Sequence, residues 1–423
     1  MKAPEAHAAI EAVWRIEAPR LIAGLTRVVR DVGLAEDLAQ DALVAALERW
    51  PQTGIPEKPG AWLMTAARNR AVDHFRRAQR LARRSEEMAR DLELQQEESG
   101  PEATVDPDED IGDDLLRLMF IACHPVLSME ARVALTLRLL GGLTTEEIAR
   151  AFLAPVPTIA QRIVRAKRTL SEARVPFEVP SGPERQERLA SVLEVIYLIF
   201  NEGYTATAGD DWTRPELCYE ALRLGRVLAE LAPDEPEVHG LVALMEIQAS
   251  RLRARIGPSG EPVLLLDQDR SLWDQLLIRR GLAALERARA LGAGLGPYGL
   301  QAAIAACHAQ ARSPDETDWA AIARLYERLL EATPSPVVEL NRAVAVAMAY
   351  GPQAGLEVVD ALVGEPSLRN YHLLPGVRGD LLKKLGRLDE ARSEFERAAS
   401  LTRNAREREL LLKRAAECAR EPS

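Results

Sequence analysis

The stretch from residue 85 to 114 sets the first limit on how this chain folds. Thirteen acidic residues there face the single Arg90, a net charge of −12, and almost no apolar periodicity accompanies them. Such a segment cannot bury enough surface to offset the entropy of ordering it, so an extended linker is expected, punctuated by Ser99-Gly100-Pro101 and Asp106-Pro107. About 26 unstructured residues reach at most about 85 Å at ~3.3 Å each. The chain is thereby divided, and its overall charge of −10 becomes an average over unlike parts. Residues 1–84 carry 14 basic and 10 acidic groups, and residues 115–183 carry 9 and 5, each a net +4; residues 184–423 carry 30 and 36, a net −6. A uniformly basic nucleic-acid binder is excluded, whereas two small basic modules and a long acidic tail are not. The expected domains are 1–84, a linker 85–114, 115–176 and 184–423.

A hydrophobic fraction of 47% excludes wholesale disorder, and an aromatic fraction of only 4% disfavours sheet, so the expected fold class is all-α. Four cysteines, Cys123, Cys218, Cys307 and Cys418, lie far apart without a CxxC pair. That spacing suits reduced thiols in a cytoplasmic protein better than disulfides or zinc. The N-terminal residues lack the charged and apolar segments of a signal peptide, and no apolar run approaches the ~20 residues that span a bilayer, so no membrane partner is expected.

In the first module, Ile10, Val13, Trp14, Leu21, Leu25, Val28 and Val29 recur at near-helical spacing over 6–30, with Pro19 expected to break or kink the run. A second helix over about 34–50 turns Leu34, Leu38, Ala42 and Leu47 inward and groups Asp37, Gln40, Asp41 and Val44 on another face. On spacing alone that face is a solvated stripe. A Pro- and Gly-rich loop then leads into a long helix from Ala61 to about Arg84. Leu63, Ala67 and Ala71 mark its inner side; Trp62, Ala66, Asn69, Asp73, Arg76 and Arg80 share another. Seven arginines, among them Arg68, Arg76, Arg77 and Arg80, suit contacts to phosphates and unpaired bases.

The second module carries a stronger pattern. A helix stops at Gly141-Gly142, Thr144 and Glu147 form a capping box for a short second helix, and Pro157 takes the first position of a third. Helix, turn, helix is the arrangement that places its last helix in a DNA major groove. Ile159, Ile163, Ala166 and Leu170 form the inner stripe of that helix and leave Thr158, Gln161, Arg162, Arg165 and Arg168 outward. Arg pairs bidentately with guanine and Gln with adenine.

The tail reads as helical pairs separated by Gly/Pro turns. Gly379, Leu382, Ala391, Phe395 and Ala398 match a tetratricopeptide pattern, and a looser copy with Ala354, Val358 and Ala361 lies 37 residues upstream. Stacked helical repeats are therefore expected. Asn201-Glu202-Gly203-Tyr204 reads as a helix end. Asp267, Asp269 and Asp274 read more simply as helix capping than as a metal site, with Asp267 or Asp269 as the N-cap of a helix containing Leu272, Trp273 and Leu276. Cys307-His308 and Cys123-His124 lack partners at zinc spacing. No catalytic constellation, metal site or cofactor motif stands out, so no enzyme is expected.

Taken in order, AEDLAQDALVAALERW, KPGAWLMTAARNRAVDHFRR and GGLTTEEIARAFLAPVPTIAQRIVRAKR resemble three regions of bacterial RNA polymerase sigma factors of the extracytoplasmic-function type. The resemblance implies that Asp37, Leu38, Gln40 and Asp41 meet core RNA polymerase. It implies that Trp62, Arg68, Asn69, Asp73, Arg76, Arg77 and Arg80 open the −10 element of promoter DNA, and that Thr145, Thr158, Gln161, Arg162, Arg165 and Arg168 read the −35 element. Pro157 stands where such factors often carry Gly, and Ala160 where Lys or another polar residue is common; both suggest an altered −35 preference. In the family the linker threads the polymerase RNA channel, and a polyanion suits that place as well as it suits a plain spacer. LIFNEGYTAT, LLLDQDRSLWD, PYGLQAAIAACHA, TDW and SPVVELNRAVAVA resemble the subgroup with a tetratricopeptide-like extension. That subgroup's extension implies regulation through an intramolecular contact with the sigma domains. The rival reading is a helical-repeat scaffold or adaptor with a minor DNA-binding function. An ordinary helix-turn-helix regulator would leave the 34–84 motifs unexplained.

Overall fold

The computed structural model describes residues 3–90, 111–206, 212–258, 260–292 and 294–419. Eighteen α-helices and five short 3-10 turns account for its regular structure, and no strand occurs among the described residues. The all-α expectation holds. Most of the acidic linker, residues 91–110, lies outside the described residues, as do the side chains of Arg77 and Arg80. Two compact units divide the chain at Val195.

The first unit opens with α1 (Ala3–Val29), α2 (Val32–Thr53) and α3 (Pro59–Arg90). Pro19 does not interrupt α1, contrary to one expectation from the sequence. Ala18, Leu21, Ile22, Ala23 and Leu25 around it are all buried, so tertiary packing outweighs the hydrogen bond that proline removes. Asp31 caps α2, its carboxylate accepting from the Leu34 N–H at 2.8 Å. On α2, Ala35, Ala39, Ala42 and Ala46 are fully buried, and these small side chains let neighbouring helices approach closely. The core of this module is completed by Leu63, Ala67 and Ala71 of α3, the inner stripe foreseen from spacing.

Four further helices follow: α4 (Ile111–Ala122), α5 (Met129–Leu139), α6 (Thr145–Ala151) and α7 (Val156–Glu172). They pack in the same unit as α1–α3, with three ionic links between the groups. Arg15 meets Glu147 at 2.7 Å, Arg27 meets Asp114 at 3.3 Å, and Glu36 meets Arg138 at 2.6 Å while also pairing with Lys167. The next helix, α8 (Gly182–Tyr204), begins in the first unit and ends in the second. Its first half is held by Arg188, which donates to the Phe120 carbonyl at 3.0 Å, and by Ser191, which donates to the Cys123 carbonyl at 2.7 Å.

The second unit is built from helical hairpins: α9 (Pro215–Leu231) with α10 (Pro236–Ala249), α11 (Gln275–Leu291) with α12 (Pro297–Gln310), and α13 (Trp319–Ala332) with α14 (Pro336–Tyr350). Then follow α15 (Pro352–Leu362) with α16 (Leu373–Lys384), and α17 (Leu388–Leu401) with α18 (Ala405–Cys418). Proline sits in the first turn of α9, α10, α12, α14 and α15, where a missing N–H costs nothing. Gly240 and Gly299 let α10 and α12 touch: a Cβ on Gly240 would lie 2.7 Å from the Gly299 nitrogen. Glu237 on α10 then caps α12, accepting from the Tyr298 and Gly299 N–H groups at 2.9 and 3.2 Å. Farther along, a Cβ on Gly379 would strike the Phe395 ring at 2.9 Å, so the small residue and the aromatic complement each other as the sequence pattern required. The looser upstream copy sits one position off. Gly355, Leu356 and Val359 are the buried residues of α15, while Ala361 is exposed and Ala354 and Val358 are half-buried.

Candidate nucleic-acid interface

The helix-turn-helix is built by local chemistry that the structure states in full. Thr144 Oγ1 accepts from the Glu147 N–H at 3.1 Å, and the Thr144 N–H donates to Glu147 Oε2 at 2.8 Å, closing the capping box at the start of α6. Leu153 adopts a positive φ of 48° in the turn that follows, and Pro155 serves as the N-cap of α7. Pro157 is therefore the second helical residue and not the first, still within the turn whose N–H groups need no helical acceptor. Ile159, Ile163, Ala166 and Leu170 are 1%, 5%, 2% and 5% exposed, which fixes the rotation of α7.

That rotation leaves Thr158, Gln161, Arg165 and Arg168 exposed, and Arg162 half-buried at the edge of the same face. Arg168 is tied to Glu172 at 2.6 Å, an exposed helical pair that a phosphate replaces at little cost. Thr145 is half-buried at the start of α6. Arg162 and Gln161 carry the planar donor groups suited to base edges, and the others suit phosphates.

A second basic surface lies on α3. Asn69, Asp73 and Arg76 are exposed, Arg68 and Trp62 half-buried, and the Trp62 ring stands edge-on to the buried Trp50 at 5.3 Å. Trp62 thus has one edge anchored in the core and part of its surface free, the geometry of a braced stacking platform. Val72 and Phe75, 47% and 42% exposed, add apolar surface to the same stretch, which the charge pattern alone did not single out.

The α2 face presents Asp37 and Asp41 to solvent and Gln40 half-buried, with Val44 51% exposed beside them. Leu38 lies inside, 5% exposed, and supports this face from below. Asp41 is 3.9 Å from Arg70 of α3.

Between α2 and α7 sits a feature that sequence reasoning missed. Glu36 is 3% exposed; its Oε1 accepts from Arg138 Nε at 2.6 Å and from Gln40 Nε2 at 2.7 Å, and Lys167 Nζ meets its other oxygen. Burial works to raise its pKa, but the charges of Lys167 and Arg138 outweigh it and hold the carboxyl below its ordinary value. Partners 102 and 131 positions away leave no local trace in the sequence.

Asp274, and neither Asp267 nor Asp269, caps the longer helix in the second unit, accepting from the Leu276 and Leu277 N–H groups at 2.8 and 3.0 Å. Asp269 caps only the short turn Arg270–Leu272. The difference arises because Trp273 extends the chain between the two turns. Asn201–Tyr204 form the end of α8, where a Cβ on Gly203 would lie 2.6 Å from the Cys218 nitrogen.

Comparison with known families separates the chain in the same order as its charge. Residues 14–81 match Sigma-70 region 2, residues 117–170 match Sigma-70 region 4, and residues 188–289 match a family of unknown function. An uncharacterized protein of Rhizobium meliloti is 45% identical over 92% of this chain and 91% of its own length. The ECF RNA polymerase sigma factor SigK of Mycobacterium sp. (strain KMS) is 33% identical over 34% of this chain and 72% of its own length. The probable ECF RNA polymerase sigma factor SigI of Mycobacterium tuberculosis is 29% identical over 42% of this chain and 60% of its own length. No helix among the described residues is long and apolar enough to cross a membrane. With regions 2 and 4 both present and carrying their outward basic faces, the chain belongs to the ECF RNA polymerase sigma factors.

Proposed function

We propose that this protein acts in the cytoplasm as a promoter-specificity subunit. It binds core RNA polymerase through the Asp37, Gln40 and Asp41 face, reads a −35 element with α7, and captures splayed −10 bases on the Trp62 to Arg80 stretch of α3. Preferential binding of unstacked bases then drives melting without ATP. The single observation that carries this reading is the pair of outward basic faces on α3 and α7, each backed by a buried apolar stripe.

The two promoter elements lie about 25 base pairs apart, roughly 85 Å at ~3.4 Å per pair. In the first unit α7 is joined to α2 at Glu36, so promoter engagement requires this junction to open. The 20 residues between α3, which runs on to Arg90, and α4, which starts at Ile111, span at most about 66 Å at ~3.3 Å each, enough for α4–α7 to move away from α1–α3. The 184–423 region regulates the process through contact with the sigma modules.

Reconstituted transcription with core polymerase tests the reading. The double variant Arg76→Ala, Arg77→Ala should reduce open-complex formation at least ~10-fold, at ~1–3 kcal/mol per lost contact. Unchanged open-complex formation would remove α3 from promoter opening. Truncation after about residue 180 tests the tail: a change of activity in either direction supports regulation, and identical activity contradicts it.

A further inference from the structure

Three arginines of the second unit lie among aromatic rings in an alternating ladder. The Arg255 guanidinium carbon is 3.7 Å from the Tyr204 ring centroid and 5.6 Å from that of Trp212. Arg251 stands 5.9 Å from Tyr204 and 5.8 Å from Trp273, and Arg270 stands 4.8 Å from Trp273. Arg251 is 7% exposed. Among the described residues no carboxylate lies within ion-pair distance of any of the three.

Hydrogen bonding leaves the same atom of each group, Nε, without an acceptor. Arg251 donates to Gln248, Arg255 to the Tyr204 carbonyl and Thr205 hydroxyl at 3.0 and 2.9 Å, and Arg270 to the carbonyls of His308 and Ala311 and to the Thr317 hydroxyl. All these bonds use terminal nitrogens. The Nε atoms of Arg251, Arg255 and Arg270 are buried without an acceptor, as is Nδ1 of His308. Ring faces attract cations but accept no N–H bond along the guanidinium edge, so among the described residues the buried Arg251 and half-buried Arg255 have no carboxylate at ion-pair distance, and Glu316 acts on Arg270 only from beyond it.

We infer that this ladder binds a small oxyanion carrying at least two negative charges, a phosphate-bearing molecule or a polycarboxylate. Arginine forks match the oxygen geometry of both groups, and the orphaned Nε edges supply the donors. The electrostatics agree. Burial, followed by repulsion from Arg255 and Arg270, lowers the Arg251 pKa, while burial and the charges of Arg251 and Arg270 push His308 down to about 4. An arriving anion relieves both. This site stands apart from the promoter and polymerase faces, and its test does not depend on them.

Isothermal titration of the full chain with pyrophosphate, inorganic phosphate and citrate, at ionic strength matched with sodium chloride, decides the matter. At least one should bind saturably, and phosphate species against citrate separates the two sources. Arg255→Gln should weaken that binding at least ~10-fold, whereas Arg289→Gln, on an exposed helical pair with Glu286, should not. Since Arg251→Gln would bury a new amide among the rings, the half-buried Arg255 carries the test. Binding of none of the three anions, or equal binding by Arg255→Gln, overturns the inference. Asp210 and Asp211, outside the described residues, provide a further check: if Asp210→Asn with Asp211→Asn destabilises the chain and no anion binds the unaltered protein, the counter-charge is internal and the inference fails.

Discussion

Two clusters, one in each unit, arrange buried charge in opposite ways. In the first, the buried carboxylate Glu36 draws two cations and an amide from three helices, so its own charge and hydrogen bonding are met locally. In the second, Arg251, Arg255 and Arg270 share aromatic faces and, among the described residues, have no carboxylate at ion-pair distance. A closed cluster acts as a latch between helices that are far apart in sequence. An open one is poised to take a counter-charge from outside. On the proposed function, the contrast separates a junction that is released at the promoter from a site that takes up an anion.

The largest expected effect falls on the latch. Glu36→Ala leaves Arg138 and Lys167 facing each other, 22% and 18% exposed, and should cost about 3 kcal/mol in the first unit. Chemical denaturation gives the cost, and hydrogen exchange in α7 should rise with it. Replacing all three by apolar residues of similar size should restore most of the loss. A single and a triple variant of equal stability would break the comparison. Acid acts through the same group. Its folded pKa lies below the ordinary 4.5, so the stabilisation is complete above about 4.5 and disappears as pH falls through the depressed value. Exchange protection of α7 should follow that direction.

Arg162→Ala should cost ~1–3 kcal/mol at one base pair of a preferred −35 sequence and relax selection there, as measured by competition binding. Thr144→Ala removes half of the capping box and should cost about 1 kcal/mol, seen as a lower unfolding midpoint. The smallest effect is expected at the ladder. Arg251→Met loses two ring contacts and the bond to Gln248 but also relieves repulsion and an orphaned Nε, so its net cost in anion-free buffer should stay below about 1 kcal/mol. A loss as large as that of Glu36→Ala would erase the distinction between the two clusters.

Features governed by nearby residues were legible in the sequence. The Thr144–Glu147 box, the inner stripe of α7, and the Gly379–Phe395 crossing each follow from spacing within one or two helices. Pro19 does not break α1 because the buried residues around it hold the helix together, and propensity carries no record of that packing. Asp274 was passed over as the cap because Trp273 postpones the helix start. Glu36 and the arginine ladder were invisible for a common reason: the partners that join their elements lie about 20 to 130 positions away, and no periodicity links them.

The central claim is tested most directly by adding the purified chain to sigma-free core RNA polymerase on a library of genomic upstream fragments and sequencing the transcript starts. The account predicts a stable stoichiometric complex and starts that depend on the chain and share one −35 and one −10 sequence. Failure to form the complex, together with no chain-dependent start, would contradict it.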